Sequence, residues 1–464
     1  MRSYQSVADE LRKRVAELMS RAREDLAHLV SIPSVADPRQ YPADRCAEAA
    51  EWVREAFAGA GLEDARLLDM PDGHPAVYGS SPAPEGAPTV LLYCHYDVQP
   101  PLGEDAWETP PFELTERDGR WYGRGAADCK GNVIAHLTAL RALGDARGCA
   151  VRLIAEGAEE QATGGLEEFV PTAADLLAAD AIIVMDAGNF AAGVPTLTTT
   201  LRGLAGVVVR VRTLDGPMHS GMFGGPAPDA LVALNRIVAT LHDERGNVAI
   251  DGIEAGQGWD GVTYEPDRFR ADAGVLDGVE LVGDGSVAEM LWARPAVSVL
   301  GIDCPPVVGS TPSVQAEAAA LVSLRVPPGM DPEAAQDALA AHLEGAAPWG
   351  ARVEVERQPT GTPFRARTGG PAYAAMDEAL ASAFGRPTTT QGQGGSIPLC
   401  NVLAETFPKA EIMLMGVEEP RCLIHAPNES VDPAEIERIA LAEALFLQGF
   451  GAVGTRSRAK SVSR

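Results

Sequence analysis

Positive charge is scarce in this 464-residue chain: 38 Lys and Arg face 65 Asp and Glu, for a formal net charge of −27. Surfaces that bind nucleic acid need cations to displace counterions, and surfaces that dock on anionic membranes need basic patches. Neither partner is expected here. Long apolar runs are missing too. None approaches the ~20 residues of a membrane span, and the start Met1-Arg-Ser-Tyr-Gln-Ser has no apolar signal core, so a cytoplasmic protein is expected. The seven cysteines are an odd number without C-x-x-C spacing. Reduced thiols fit that pattern better than a disulfide framework or a thiolate zinc site. Cys94 and Cys129 read as small buried fillers. There is no internal repeat. Residues 454–464, small, polar and basic, read as a disordered tail.

What remains is the composition of an ordinary globular protein, 46 % hydrophobic and 22 % charged, long enough for two or three domains. Residues 6–30 are charged and amphipathic and predict a first helix. A second is predicted near 47–60. From about 65 to 197, strands alternate with helical stretches, the rhythm of an α/β domain with a central, mostly parallel sheet. Between 198 and 366 the order becomes βαββαβ, with strands at 203–213, 296–302, 315–326 and 352–357 and helices at 229–242 and 332–343. That is the order of a ferredoxin-like α+β unit. It interrupts the first domain, which occupies 1–197 and resumes over 367–453. Residues 244–295 fit no periodic pattern and read as a long excursion on the inserted unit.

Four short apolar runs each end near a residue able to hold a divalent cation. Thr89-Val-Leu-Leu-Tyr93 leads to His95 and Asp97, and Val151-Arg-Leu-Ile-Ala155 to Glu159 and Glu160. Ala181-Ile-Ile-Val-Met185 ends at Asp186, and Ile412-Met-Leu-Met415 is followed by His425. A fifth candidate, Asp128, precedes a helical stretch. Short apolar runs read as buried strands, and ligands of α/β sheets gather at the carboxyl ends of strands. Each candidate alone has an ordinary explanation, such as a helix cap or a loop histidine; five converging on one sheet end do not. Imidazole and carboxylate suit zinc or a similar first-row ion. The donors are too many for one tetrahedral ion with an open position and enough for two ions sharing a carboxylate. Asp97, two residues beyond His95, is placed to accept that ring's second N–H. Glu159 and Glu160 must diverge, so one can bind metal while the other serves as general base.

Several segments resemble the M20 family of dinuclear metallopeptidases, closest to the dipeptidase branch that includes carnosinases. They are His95-Tyr-Asp97-Val-Gln-Pro, Gly123-Arg-Gly-Ala-Ala-Asp128-Cys-Lys-Gly, Glu156-Gly-Ala-Glu159-Glu160, Gly394-Gly-Ser396-Ile-Pro398 and Ile424-His425-Ala-Pro-Asn428-Glu429. The resemblance implies a catalytic domain interrupted by a lid and dimerisation domain, and thus a homodimer. It implies two divalent ions per chain, zinc first, with manganese or cobalt as alternatives. His95, Asp128 and Asp186 would hold one ion; Asp128, Glu160 and His425 would hold the other. Glu159 would activate the metal-bridging water, and Asp97 would support His95. His219, in Gly216-Pro-Met-His219-Ser-Gly221, would reach the partner's active site and steady the oxyanion. Arg325 would grip the substrate carboxylate, helped by Ser396 and Gly395. Departures fall on the substrate side: Gly392-Gln393 stands where carnosinase-like proteins have an arginine and an acid. The expected activity is cleavage of dipeptides with a free C-terminal carboxylate. The alternatives are hydrolysis of N-acyl or N-carbamoyl amino acids on the same scaffold, and an inactive relative acting as a binding protein.

Overall fold

The computed structural model describes residues 4–82 and 86–461. The chain forms two compact units, one of residues 1–199, 366–391 and 399–464, the other of residues 200–365 and 392–398.

In the first unit the strands that carry the candidate residues lie side by side. The order is Arg66–Leu68, Ala76–Ser81, Ala150–Glu156, Thr89–His95, Ala181–Met185, Glu411–Met415 and Thr196–Leu201, the last leading out of this unit. Ala150–Glu156, Thr89–His95, Ala181–Met185 and Glu411–Met415 are parallel to one another. The strands flanking these four are antiparallel, so the sheet is mixed and parallel only at its centre. Alternate side chains point to opposite faces. Val90, Leu92, Cys94, Ile183, Met185, Met413 and Met415 join a core shared with the helices, while Leu91, Tyr93, Ile182, Val184 and Leu414 are equally buried on the other face. Burial on both faces explains why the four runs are continuously apolar instead of alternating.

Helices Tyr4–Val30, Lys130–Leu143, Pro371–Phe384 and Pro433–Ser461 pack against one another. Pro433–Ser461 runs through part of the segment expected to be a disordered tail. Residues 454–461 contain no proline, and Ala, Arg and Lys sustain a helix once it is under way. Residues 462–464 of that expected tail lie outside the described residues. Among the described residues no helix is long and apolar enough to cross a membrane.

The second unit has an antiparallel sheet in the order Ala296–Asp303, Glu317–Val326, Gly203–Arg212, Arg352–Arg357. Numbered by their sequence within the unit, the strands stand 2-3-1-4, the ferredoxin-like arrangement. Ala205, Val207, Val209 and Val211 point to one face and pack with Ala233, Leu234 and Ile237 of helix Ala230–Ala239 and Leu339 and Leu343 of helix Pro332–Gly345. Helix Ala230–Ala239 starts where Asp229 accepts the N–H groups of Leu231 and Val232, an N-cap that satisfies two otherwise orphaned donors. Residues 392–398, expected with the first domain as part of 367–453, belong to this unit instead. The Gln393 carbonyl accepts the Arg202 N–H at 3.1 Å, a pairing between residues far apart in sequence. The 244–295 excursion holds one short helix, Pro266–Asp272, and a π-helical turn, Glu289–Ala293. Trp292 stacks on Tyr264 at 5.9 Å and meets Trp259 at a tilt at 5.2 Å, ring centroid to centroid, giving the excursion an aromatic nucleus of its own.

Candidate metal centre

The four parallel strands end together: His95 lies beside Glu156 in register, and Met415 beside Met185. His95 therefore enters the site from the last residue of its strand, and Asp186 from the residue just after its own. Glu159 and Glu160 follow Ala150–Glu156 on a single turn of 3-10 helix. The step between is tight. A Cβ on Gly157 would lie 2.2 Å from the Tyr96 hydroxyl, so only glycine passes there. Asp128 sits just before helix Lys130–Leu143, whose start packs so closely on the preceding loop that a Cβ on Gly131 would lie 2.3 Å from the Ala126 carbonyl. His425 comes from a loop in which Leu423, His425 and Asn428 all take positive φ, 53°, 62° and 64°. Left-handed backbone at three non-glycine residues is costly, and such outliers gather at functional sites. Asn428 pins the loop, donating to the Ala106 carbonyl at 3.0 Å and accepting the Glu108 N–H at 2.8 Å.

Two groups of donor atoms result. In one, His95 Nε2 lies 3.1 Å from Asp128 Oδ1 and 3.3 Å from Asp186 Oδ1. In the other, His425 Nε2 lies 3.0 Å from Asp128 Oδ2 and 3.2 Å from Glu160 Oε2. Asp128 thus offers one oxygen to each group. The donor atoms of Asp128, Glu160 and His425 all fall within 4.8 Å of one another, as do those of His95, Asp186 and Cys129. Cys129 was expected only as a filler. It is fully buried, its thiol donates to the Met185 carbonyl at 3.2 Å, and burial pushes its pKa up to about 12. As a neutral thiol already donating its proton, it is the weakest donor of the group.

Behind these donors, His95 Nδ1 lies 3.2 Å from the Asp97 backbone carbonyl and 3.2 Å from its Oδ1, which together fix that ring's tautomer. Asp97 also does something the sequence reading did not assign. Its two oxygens accept the backbone N–H groups of Glu159 and Glu160, at 3.2 and 3.1 Å. One carboxylate therefore orients the histidine and the turn that makes the two glutamates diverge. Glu160 Oε2 accepts from Gln99 at 2.8 Å, whereas the Glu159 carboxylate has no hydrogen bond or ion pair among the described residues.

The electrostatics call for cations. Burial, then the neighbouring Asp186 charge, pushes the Glu159 pKa up to about 10. Burial likewise raises Glu160 and Asp186. Burial works against a charged Asp128 as well, but hydrogen bonds from His425 and His95 outweigh it and hold its pKa low. Hydrogen bonds to Asp128 and Glu160 push His425 up to about 10. Carboxylates crowded in a buried space need compensating positive charge, and two imidazoles supply it only while protonated. Glu160 Oε1 is buried with no hydrogen-bond partner among the described residues. Divalent ions fit this nitrogen and oxygen donor set.

Two further buried carboxylates were not singled out from sequence. Glu418 accepts from Asn132 at 2.6 Å, and burial, followed by the charges of Asp128 and Asp186, raises its pKa. Glu429 accepts the N–H groups of Gly125, Ala127 and Asp128 at 2.9–3.0 Å and pairs with Arg124 at 2.7 Å, so it shapes the loop that aims Asp128. Replacing Glu429 with Ala leaves the fully buried Arg124 unpaired and three N–H groups unsatisfied. Chemical denaturation is expected to show a loss of about 3–5 kcal/mol. A stability equal to wild type would rule out this organising role.

The other expected site residues belong to the second unit. His219 is exposed, and its Nδ1 accepts the Gly221 N–H at 3.1 Å. Arg325 lies on Glu317–Val326, paired with Ala296 on one side and Leu204 on the other. Gly395 is exposed and Ser396 half-buried in the 392–398 segment.

Known proteins share this architecture. A Corynebacterium striatum protein named cysteinylglycine-S-conjugate dipeptidase is 43 % identical over 436 residues, 92 % of this chain and 95 % of its own. The solved di-peptidase Dug1p of Saccharomyces cerevisiae superposes with a TM-score of 0.78 at 21 % identity, covering 96 % of this chain and 98 % of that one. Human carnosine dipeptidase 1 does so with a TM-score of 0.78 at 23 % identity, covering 96 % and 99 %. Residues 91–448, which include every donor of the centre, match the model of Peptidase family M20/M25/M40, and the chain belongs to that family.

Proposed function

We propose that this protein is a dinuclear metal-dependent dipeptidase that cleaves the amide bond of dipeptides bearing a free C-terminal carboxylate. The observation that carries the reading is Asp128, whose two oxygens face two separate donor groups 3.0–3.1 Å away, near Glu159, which has no partner among the described residues. His95, Asp128 and Asp186 hold one ion, most favourably zinc, and Asp128, Glu160 and His425 hold the second. When bound, the pair polarises the scissile carbonyl and makes water acidic enough to attack near neutral pH. Glu159 takes the proton from the attacking water and delivers it to the leaving amine. Asp97 keeps His95 and the glutamate turn in place. Arg325, Ser396 and Gly395 hold the substrate's C-terminal carboxylate, and His219 of a second copy donates to the oxyanion.

A homodimer through the inserted unit is supported by the edge strand Ala296–Asp303, where Val299, Leu300 and Ile302 are exposed, as is Leu321 on the next strand. An open apolar sheet edge invites pairing with a second copy. The dipeptide reading draws on the names of the relatives, and it is tested by turnover on a panel. That panel holds Cys-Gly and its S-substituted forms, β-Ala-His, N-acetyl amino acids and N-carbamoyl amino acids. Turnover confined to the acyl or carbamoyl substrates would move the function to the alternative class. Elemental analysis of active protein is expected to find two divalent ions per chain, and chelation is expected to abolish turnover, restored in part by zinc, manganese or cobalt. One ion in fully active protein would end the dinuclear reading.

A further inference from the structure

The excursion at 244–295 lines most of a partly open cavity to which the proposed function assigns no role. Its volume is about 610 Å³, within the range of small-molecule sites. The walls are largely apolar, with Phe269, Leu281, Val287, Met290, Leu291 and Val297 among the lining side chains. One lining residue is out of keeping with them. Arg202 is only 6 % exposed, and its Nε and Nη1 find no hydrogen-bond partner among the described residues. Burial lowers its pKa, and the positive charge of Arg325 lowers it further. A buried guanidinium without an acceptor is costly, and native proteins rarely leave one unanswered. The other ionisable residues in the lining do not answer it. Arg270 adds positive charge and donates to the Leu276 carbonyl, His242 is the only imidazole in the lining, and Glu280 is exposed.

We propose that this cavity is a binding site for an apolar monocarboxylate, whose carboxylate pairs with Arg202 while its hydrocarbon body fills the space against Phe269, Leu291 and Val297. Planar guanidinium and carboxylate match in two parallel hydrogen bonds, which accounts for an arginine at this position. The ligand is a separate fatty or aryl-alkanoic acid acting as an effector, because the proposed function already assigns the peptide's own C-terminal carboxylate to Arg325, Ser396 and Gly395.

Decanoate and 4-phenylbutanoate serve as probes, titrated calorimetrically into the full-length protein, a readout that does not depend on turnover. One saturable site per chain is expected. Decanol, which lacks the charge, is expected to bind at least ~10-fold more weakly, since a hydrogen bond to a charged group contributes that much. Arg202→Met keeps the length of the side chain, removes a buried charge and is expected to fold at least as stably as wild type. It is expected to weaken decanoate by ~10-fold or more, and Leu291→Trp, which fills the cavity, is expected to abolish binding. The effect on dipeptide turnover tests the effector role. Non-competitive inhibition or activation is expected of an effector, and competition with the dipeptide would place the probe at the substrate's own carboxylate site and overturn the effector role. Absence of saturable binding, or equal affinity in wild type and Arg202→Met, overturns the proposal whatever the enzyme proves to hydrolyse.

Discussion

Glu159→Gln is expected to lower kcat by at least ~10²-fold while metal content stays near wild type, because the change removes a proton carrier and no metal donor. The neighbouring substitution is expected to act differently. Glu160 Oε2 lies 3.2 Å from His425 Nε2 and its other oxygen is buried without a partner among the described residues, so Glu160→Gln is expected to lose metal and, with it, turnover. The contrast rests on geometry that Asp97 imposes by accepting both backbone N–H groups: consecutive residues on one tight turn project to different sides. It also rests on charge. A carboxylate whose pKa is pushed up to about 10 by burial and by Asp186 is brought down again once cations share the site. A glutamate poised between those limits is suited to take a proton and give it back. Kinetics paired with elemental analysis decide the matter. Full activity of Glu159→Gln at full metal occupancy would remove it from the proton transfer, and full metal content in Glu160→Gln would remove that residue from the donor set.

The second large effect concerns His219. His219→Ala is expected to stay folded and metal-loaded while kcat falls about 10²–10³-fold, with little change in substrate binding, as for the loss of an oxyanion donor. The structure supplies a reason to think of this ring as a donor. Its Nδ1 accepts the Gly221 N–H, so the neutral imidazole carries its proton on Nε2, pointing away from its own turn. The ring is exposed and pairs with no carboxylate among the described residues. If it serves the partner's site, two inactive proteins complement each other. In a heterodimer of Glu159→Gln with His219→Ala, one site carries both lesions and the other carries neither. Mixing under subunit exchange is then expected to restore up to about half the activity per heterodimer. No recovery despite demonstrated exchange would mean that His219 serves its own chain or takes no part in catalysis.

Much of this protein was determined by sequence alone, where the signals are local. Four apolar runs predicted four buried strands, and those strands are neighbours in one parallel set. Because each is short and ends close to its acid or histidine, the convergence of His95, Glu159, Glu160, Asp186 and His425 was legible before any coordinates. The βαββαβ order of the inserted unit was legible for the same reason, since period-2 and period-3.6 patterns are written into adjacent residues. Tertiary structure decided what depends on residues far apart in the chain. Glu429 holds the Asp128 loop across about three hundred residues. Asp97 organises the glutamate turn 62 residues away, and residues 392–398 belong with the second unit because their backbone pairs with Arg202. The antiparallel flanks of the sheet were not legible either, since an edge strand's free N–H and C=O groups pair with a neighbour running either way, and the direction follows from how the connecting chain crosses the sheet. The isolation of Arg202 was equally invisible. An arginine reads as a surface residue until folding buries it, and only the surrounding side chains decide whether any acceptor reaches it.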